Sequence, residues 1–135
     1  MVFLNLNIQK LILSSFILMI IDYFYIKYIA GGLLDFNKTI KNIQGSDLKL
    51  NYLGVILCYI CLSLVFYGFI IQQDKSVMEA FILGFLIYGI YETTNLATIK
   101  NWPLKLLIVD TIWGGVLFGI STYIFRYIET MFIKN

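Results

Sequence analysis

The sequence predicts an all-α integral membrane protein, a bundle of four transmembrane helices with a short interfacial helix after the first span. Of the 135 residues, 60% are hydrophobic and only 13% are charged, with a mean hydropathy of +0.84. Soluble domains have about a quarter charged residues, and a chain of this size could not bury so much apolar surface in water. Four apolar stretches each have the roughly 20 residues that cross the hydrocarbon core of a bilayer.

The four stretches predict the spans of a single membrane domain covering residues 1–135. The first stretch carries Asp22 and is too long for a cleaved signal peptide. An Asn101-Trp102-Pro103 turn separates the third stretch from the fourth, with the proline in the first helical turn. The predicted spans lie at about residues 10–30, 51–71, 77–99 and 104–127.

Residues 33–47 are too polar to span the membrane and predict a short interfacial helix. Apolar and basic side chains alternate along this segment, which is typical of a helix lying at the bilayer surface. The residues in question are Leu33, Leu34, Phe36, Lys38, Ile40, Lys41 and Ile43. The lipid bilayer is therefore the expected partner, and a net charge of +2 without a basic cluster argues against nucleic acid.

Three acids fall inside the predicted spans, where charged side chains are costly and mark candidate functional sites. Asp22 lies eight residues before the end of the first span, and Glu92 lies eight residues before Lys100. Asp110 lies seven residues after Pro103. Because the fourth span runs opposite to the first and third, all three acids are expected at one level, roughly 10–12 Å below one membrane surface.

Polar and aromatic side chains at helical spacing accompany these acids and are candidates for binding a proton or a substrate. They are Tyr25, Tyr88, Asn95 and Trp113, and Tyr91, next to Glu92, is a further candidate that would shape the pocket. Three simpler interpretations stay open. Asp22 could extend its carboxylate to the surface from an aromatic belt, and Asp110 could favour a helix N-terminus. Glu92 and Asn95 could hold helices together through hydrogen bonds without any further function.

Cys58 and Cys61 form a C-x-x-C pair, which could indicate thiol redox chemistry. The chain has no histidine and no other cysteine, so it can complete neither a four-ligand zinc site nor a second cysteine pair. No metal or cofactor is predicted. Small residues at intervals of three and four instead favour close helix packing. These residues are Gly54, Cys58, Cys61, Val65 and Gly68 in the second span, Ala80 and Gly84 in the third, and Gly115 and Gly119 in the fourth.

The segment Tyr88-Gly89-Ile90-Tyr91-Glu92-Thr93-Thr94-Asn95-Leu96-Ala97-Thr98 resembles a signature of small membrane proteins grouped as the domain of unknown function 2177 family. So do its continuations, Trp102-Pro103-Leu104 and Asp110-Thr111-Ile112-Trp113-Gly114-Gly115. The resemblance covers the third and fourth spans closely and the first half loosely, where Asp22 stands at a position that is acidic in the family. It implies a four-helix membrane protein and no established activity.

Three classes of function are compatible with these features, and whether the chain is an enzyme stays open. The first is proton-linked transport or a proton relay on the three carboxylates, for which so small a chain could form a homo-oligomer. The second is a membrane enzyme that acts on a lipid or other apolar substrate through general acid–base chemistry. The third is a structural or assembly protein in which the polar cluster only fixes the helix arrangement.

Overall fold

The computed structural model describes residues 6–132, and every regular element within them is helical. Residues 1–5 and 133–135 of the predicted domain lie outside the described residues. The elements are α1 (Ile8–Tyr25) with a π-helical continuation (Ile26–Leu33), α2 (Phe36–Gln44), α3 (Tyr52–Phe66) with a π-helical continuation (Tyr67–Ile71), α4 (Val77–Thr98) and α5 (Leu104–Phe132).

Four helices are long and apolar enough to cross a membrane, at Ile8–Leu33, Tyr52–Ile71, Val77–Thr98 and Leu104–Phe132. Large apolar side chains, among them Ile12, Ile90 and Ile108, cover their outer surface. A soluble monomer rarely exposes so much contiguous apolar surface, whereas lipid is its natural solvent. The prediction of a multi-pass membrane protein with four helices is confirmed. The fourth helix continues to Phe132, beyond the predicted end at 127.

Polar side chains cap the first turns of three spans and satisfy backbone donors that have no partner within the helix. The side chain of Asn7 accepts a hydrogen bond from the backbone N–H of Lys10, and Asn51 plays the same part at the start of α3. Ser76 and Glu79 form a reciprocal capping box at the start of α4. These caps explain why the helices begin where they do.

The bundle has two ends, defined by the direction of the helices. The terminal side holds the start of α1, residues 72–76 and the end of α5, and the loop side holds α2 and residues 99–103. α1 widens into a π-helix at the loop side, where the N–H of Leu34 bonds to the carbonyl of Ile29. α3 widens in the same way at the terminal side.

A short helix is present in the segment predicted to be interfacial. α2 has nine residues, and none of them is buried against the bundle. Asp35 precedes it in the left-handed conformation, and Gly45 ends it with φ of 75°. Glycine adopts this conformation at helix C-termini without steric cost. α2 is therefore a separate surface helix between two spans.

Two glycines allow α4 and α5 to approach closely. A Cβ atom on Gly84 would lie 2.1 Å from the carbonyl oxygen of Gly114, and one on Gly114 would lie 2.4 Å from the ring of Tyr88. Neither distance is sterically possible. The predicted packing residues of these helices lie in the same contact: Ala80 is fully buried, Gly115 meets Phe81, and Gly119 lies against Phe81 and Val77.

The core of the bundle extends from its middle to the terminal-side part of α3. Leu18 of α1, Phe66 of α3, and Leu117 and Phe118 of α5 are fully buried there. The rings of Phe66 and Phe118 meet edge to face with centroids 5.1 Å apart, a favoured aromatic geometry. This apolar centre separates the polar groups of the loop side from those of the terminal side.

The close packing predicted for the small residues of the second span is not found within one chain and needs correction. Gly54, Cys58 and Cys61 are exposed on the outer surface, and the two cysteines are free thiols. Val65 is half-buried, and only Gly68 is buried. α3 packs on the bundle through large side chains of its terminal-side part instead, namely Leu62, Phe66, Tyr67, Ile70 and Ile71. Large apolar side chains gain more from burial than small ones, and they determine which face of α3 turns inward.

Candidate functional site

Glu92 is the most deeply buried acid of the spans, with 1% of its surface exposed. The turn after α4 places a donor against it, because Asn101 adopts a left-handed conformation with φ of 63° and the chain folds back. The buried indole of Trp102 then donates from Nε1 to Oε2 of Glu92 at 2.8 Å. The tight turn predicted from Asn101-Trp102-Pro103 therefore supplies part of the site.

The packing of α4 against α5 brings Glu92 near Asp110, because Gly89 lies against Thr111 and Tyr88 lies against Gly114. Oε1 of Glu92 is buried and accepts no hydrogen bond from any donor group of the described residues. Two ionised carboxylates are both acceptors and cannot bond to each other. A hydrogen bond between the two carboxyl groups would therefore require a proton shared by the pair.

Tyr25 connects this pair to the first helix. Its hydroxyl group donates to Oδ1 of Asp110, and its ring stacks on Trp113 with centroids 4.3 Å apart and planes 5° from parallel. Tyr25 lies at the last α-helical turn of α1, directly before the π-helical segment. It thereby joins α1 to α5 at the level of the carboxyl pair.

Asp22 accepts hydrogen bonds from two other helices. Nε1 of Trp113 on α5 donates to Oδ1 at 2.9 Å, and the hydroxyl group of Tyr59 on α3 donates to Oδ2 at 2.7 Å. Asp22 is 5% exposed, and both of its donors are neutral. We call the connected set the acid network; its members are Asp22, Tyr25, Tyr59, Glu92, Trp102, Asp110 and Trp113.

No basic side chain compensates the acid network within residues 6–132. The ion pairs of the described residues join Lys10 to Glu129, Lys41 to Asp47, Lys75 to Glu79 and Arg126 to Asp74. None of them includes Asp22, Glu92 or Asp110. Burying an unpaired carboxylate is expensive, and a proton or a cation from outside the chain would offset that cost.

The remaining predicted residues stand around the network in three different ways. The ring of Tyr88 packs on Gly114 beside it. Asn95 is half-buried one turn after Glu92, and its Nδ2 is buried without a hydrogen-bond partner among the described residues. Tyr91 is 60% exposed and lies outside the network. The prediction that it shapes the site needs correction, because one helical step turns its side chain about 100° away from Glu92.

Two members of the network, Tyr59 and Trp102, were missed by reasoning from the sequence. Both donate across helices or across a turn, and spacing along one helix does not reveal such partners. Trp102 had a usable signal, since it stands between Glu92 and Asp110 in the segment quoted for the family resemblance. Tyr59 lies between the two cysteines of the C-x-x-C pair, and the interpretation of this segment considered only the cysteines.

The family model described as "Predicted membrane protein (DUF2177)" matches residues 7–126. The chain belongs to this family. No curated protein and no solved structure matches the chain. Every member of the acid network lies within the matched region of this DUF2177 chain.

On the terminal side of the DUF2177 chain, two acids form ion pairs with basic side chains. Nζ of Lys10 on α1 forms an ion pair with Glu129 on α5, whose side chain is largely buried. Arg126 pairs with Asp74 at 3.1 Å and also donates to the backbone carbonyl of Lys75. Each of these acids has a base of the same chain as its partner.

Two contacts fix the register of the antiparallel helices α1 and α5. Tyr25 bonds to Asp110, and three residues earlier in α1 Asp22 bonds to Trp113, three residues later in α5. Near these contacts, a residue of α1 lies level with the residue of α5 whose number and its own add up to about 135.

This register places two further layers between the acid network and the terminal side. The first is the apolar layer, formed by Leu18 and Leu117, and the second is the hydroxyl layer, formed by Ser14 and Ser121. All four residues are fully buried. Oγ of Ser121 has no hydrogen-bond partner among the described residues. Polar groups thus lie on both sides of one apolar layer along the same helix pair.

A groove with a volume of about 500 Å³ runs between the terminal-side half of α1 and the stretch of α3 from Val55 to Leu64. Met19, Ile56 and Ile60 line it and are exposed on the outer surface, so the groove opens toward the surrounding lipid. Tyr59 lies on its inner wall. Because the same tyrosine bonds to Asp22, the groove leads to the edge of the acid network.

Proposed function

We propose that this protein carries protons through Asp22, Glu92 and Asp110, as a proton-linked transporter or a proton relay. The proximity of Glu92 and Asp110 on the packed faces of α4 and α5 carries the proposal, since two neighbouring carboxyl groups inside a span are stabilised by a proton that the pair can take up and give back. Tyr25 extends this pair to the first helix through its bond to Asp110.

The absence of a base paired with these acids, among residues 6–132, supports the same proposal. A structural acid in a membrane is stabilised by a fixed positive partner, as Glu129 is by Lys10. In the part of the chain that the structure describes, the acids of the network accept hydrogen bonds from neutral donors alone, from Trp102, Trp113 and the tyrosines. Neutralisation by an exchangeable proton or cation is the arrangement that transport or relay requires.

The layers of the α1–α5 interface supply a route for the proposed transfer. Protons reach the acid network from the loop side, where Trp102 and Asn95 border it. The apolar layer of Leu18 and Leu117 then blocks passage to Ser14 and Ser121. The conformation described is therefore closed toward the terminal side, and transfer across the membrane requires that this layer open or admit water.

A membrane enzyme acting on a lipid is the second candidate, and the groove beside Tyr59 favours it. A lipid could enter there from the bilayer, and a protonated acid beside an ionised one can act as general acid and general base. A third reading assigns the network a structural role alone. Substitutions that keep the hydrogen bonds but remove the titration separate this role from the first two.

Proton flux into liposomes that contain the purified protein tests the proposal. We expect the wild type to conduct protons and Glu92→Gln and Asp110→Asn to lose at least about 90% of the flux, because an amide keeps the shape but cannot exchange a proton. Asp47→Asn, at an exposed acid outside the spans, is the matched control and should conduct normally. Thermal melting and gel filtration establish that each variant is folded.

Equal flux in the wild type and in both network variants would contradict the proton pathway. In that case, mass spectrometry of lipids incubated with the wild type and Glu92→Gln would test the enzyme. If Glu92→Gln changed neither flux nor lipids but the protein stayed folded, the structural role would be supported.

A homo-oligomer is part of this proposal, since four spans offer little room for a complete transport path. The exposed face of Gly54, Cys58 and Cys61 is where the predicted small-residue packing could still occur, between two chains. Disulfide cross-linking through these native cysteines in the membrane tests it. A cross-linked dimer that disappears in Cys58→Ser/Cys61→Ser would support the contact, and no dimer under oxidation would count against it.

A further inference from the structure

The groove between α1 and α3 is built for an apolar occupant. Its lining includes Met19, Ile56 and Ile60, and the hydroxyl group of Ser15 in its wall is already bonded to the carbonyl of Leu11. Its volume of about 500 Å³ lies within the range of sites that bind small organic molecules. The body of any molecule that fills it must therefore be hydrophobic.

The inner wall of the groove leads to negative charge. Tyr59 lines the groove, and its hydroxyl group donates to Oδ2 of Asp22 at 2.7 Å. The hydroxyl group of Tyr59 therefore connects the groove to the carboxylate of Asp22. Nε1 of Trp113 donates to the other oxygen of Asp22.

The charge of the site determines whether a neutral, anionic or cationic molecule binds best in the groove. The three carboxylates of the acid network have no ion-pair partner within residues 6–132, so their field at the end of the groove is negative unless protons neutralise it. A neutral lipid tail offsets none of this field, and an anion is repelled by it. A cation offsets it directly and gains from nearby aromatic rings as well.

We propose that the groove binds a lipophilic organic monocation, with its apolar body between α1 and α3 and its charge toward Asp22 beside Tyr59. The cation replaces protons of the acid network when it binds and is displaced when they return. This inference rests on the proposed proton-linked function and names the class of molecule that would be exchanged for protons. The titratable groups that face Asp22 are Tyr25, Cys58, Tyr59, Tyr88 and Asp110.

Binding of tetraphenylphosphonium to the purified protein, measured by isothermal titration calorimetry, tests the inference. We expect saturable binding, weakened about tenfold or more in Asp22→Asn because the attraction between opposite charges is lost. Tetraphenylborate, which has the same shape and the opposite charge, should not bind. Tyr59→Phe, which retains the ring, provides a second variant with an intact groove if Asp22→Asn fails to fold.

A pair of matched tryptophan substitutions locates the binding site. Ile56 in the groove is 56% exposed, and Ile82 on the outer face of α4 is 51% exposed. We expect Ile56→Trp to fill the groove and weaken binding about tenfold or more, and Ile82→Trp to leave it unchanged. Equal affinity in both variants, or equal binding of the phosphonium and the borate, would overturn the inference and indicate a groove that holds only lipid chains.

Uptake of tetraphenylphosphonium into proteoliposomes separates this inference from the proposed function. Under an imposed pH gradient, we expect the cation to move against the direction of proton flow. Proton flux without cation binding would overturn the inference and leave the proton pathway intact. Cation uptake that does not change with the pH gradient, together with no proton flux, would refute both the exchange and the proposed function.

Discussion

The two ends of the α1–α5 interface hold acids under opposite conditions. At the terminal side, Glu129 pairs with Lys10 of the same chain. At the loop side, Asp22 and Asp110 bond to Trp113 and Tyr25, which carry no charge. The chain can evidently provide a fixed base for an acid inside the bundle. Within residues 6–132 no base pairs with the loop-side acids, and the proposed function assigns proton exchange to these acids and a structural role to Glu129.

The largest effect should come from giving the loop side its own base. Tyr25→Lys places an ammonium group beside Asp110, in place of the hydroxyl group that now donates to it. We expect a folded protein whose proton flux falls about 100-fold, because a fixed cation removes the need for an exchangeable proton. Proteoliposome flux measures this loss. Tyr25→Phe is the control and should retain a substantial part of the flux; similar losses in both variants would contradict the explanation.

The reverse change at the terminal side should affect stability. Lys10→Ala leaves Glu129 buried without its partner, and we expect a loss of about 1–3 kcal/mol in the free energy of unfolding, less than for a fully buried pair because Lys10 is partly exposed. Thermal or denaturant unfolding in detergent measures the loss. The double variant Lys10→Met/Glu129→Leu removes both charges and should restore most of the stability. A double variant as unstable as the single one would show that the pair does not matter as a pair.

A polar substitution in the apolar layer between these two ends should have a smaller effect on proton flux, and it should raise the flux. Leu18→Ser puts a hydroxyl group into the layer that separates the acid network from Ser14 and Ser121. We expect proton leak to rise about two- to fivefold, because polar groups in a bundle interior admit water more readily than leucine does. Leu86→Ser on the outer face of α4 is the control, since Leu86 is exposed to lipid. Flux at or below the wild-type level in Leu18→Ser would argue against a closed layer at this position.

The smallest effect should come from the donor to Glu92. Trp102→Phe keeps an aromatic ring in the turn but removes the Nε1–H that bonds to Oε2. A neutral hydrogen bond contributes about 1 kcal/mol, so we expect the flux to change no more than about fivefold. Flux measured over a range of pH would show the optimum move if Trp102 sets the proton affinity of Glu92. An unchanged profile would restrict Trp102 to packing.

The sequence sufficed for the features that depend on one helix at a time. Span length and apolar composition predicted four membrane helices, and the cost of charge in lipid singled out Asp22, Glu92 and Asp110. The contacts among these acids depend on how helices face one another, which spacing along a single helix does not determine. Tyr59 and Trp102 were missed for this reason.

The errors have the same origin. The spacing of Gly54, Cys58 and Cys61 fits a packing seam, but the free energy of burying the large side chains of α3 turned the other face inward. Tyr91 is adjacent to Glu92 in the sequence and lies on a different face of the helix. Neighbours in the chain are poor guides to neighbours in a helical site.

Infrared spectroscopy of the protonated carboxyl group tests most directly whether the loop-side acids hold a proton at neutral pH. We expect a carboxylic acid band in the purified wild type that disappears in the double variant Glu92→Gln/Asp110→Asn. The band should persist in Glu129→Gln, where the acid removed is the one paired with Lys10. A wild-type spectrum without the band, or a band unchanged in the double variant, would contradict the claim that Glu92 and Asp110 share a proton.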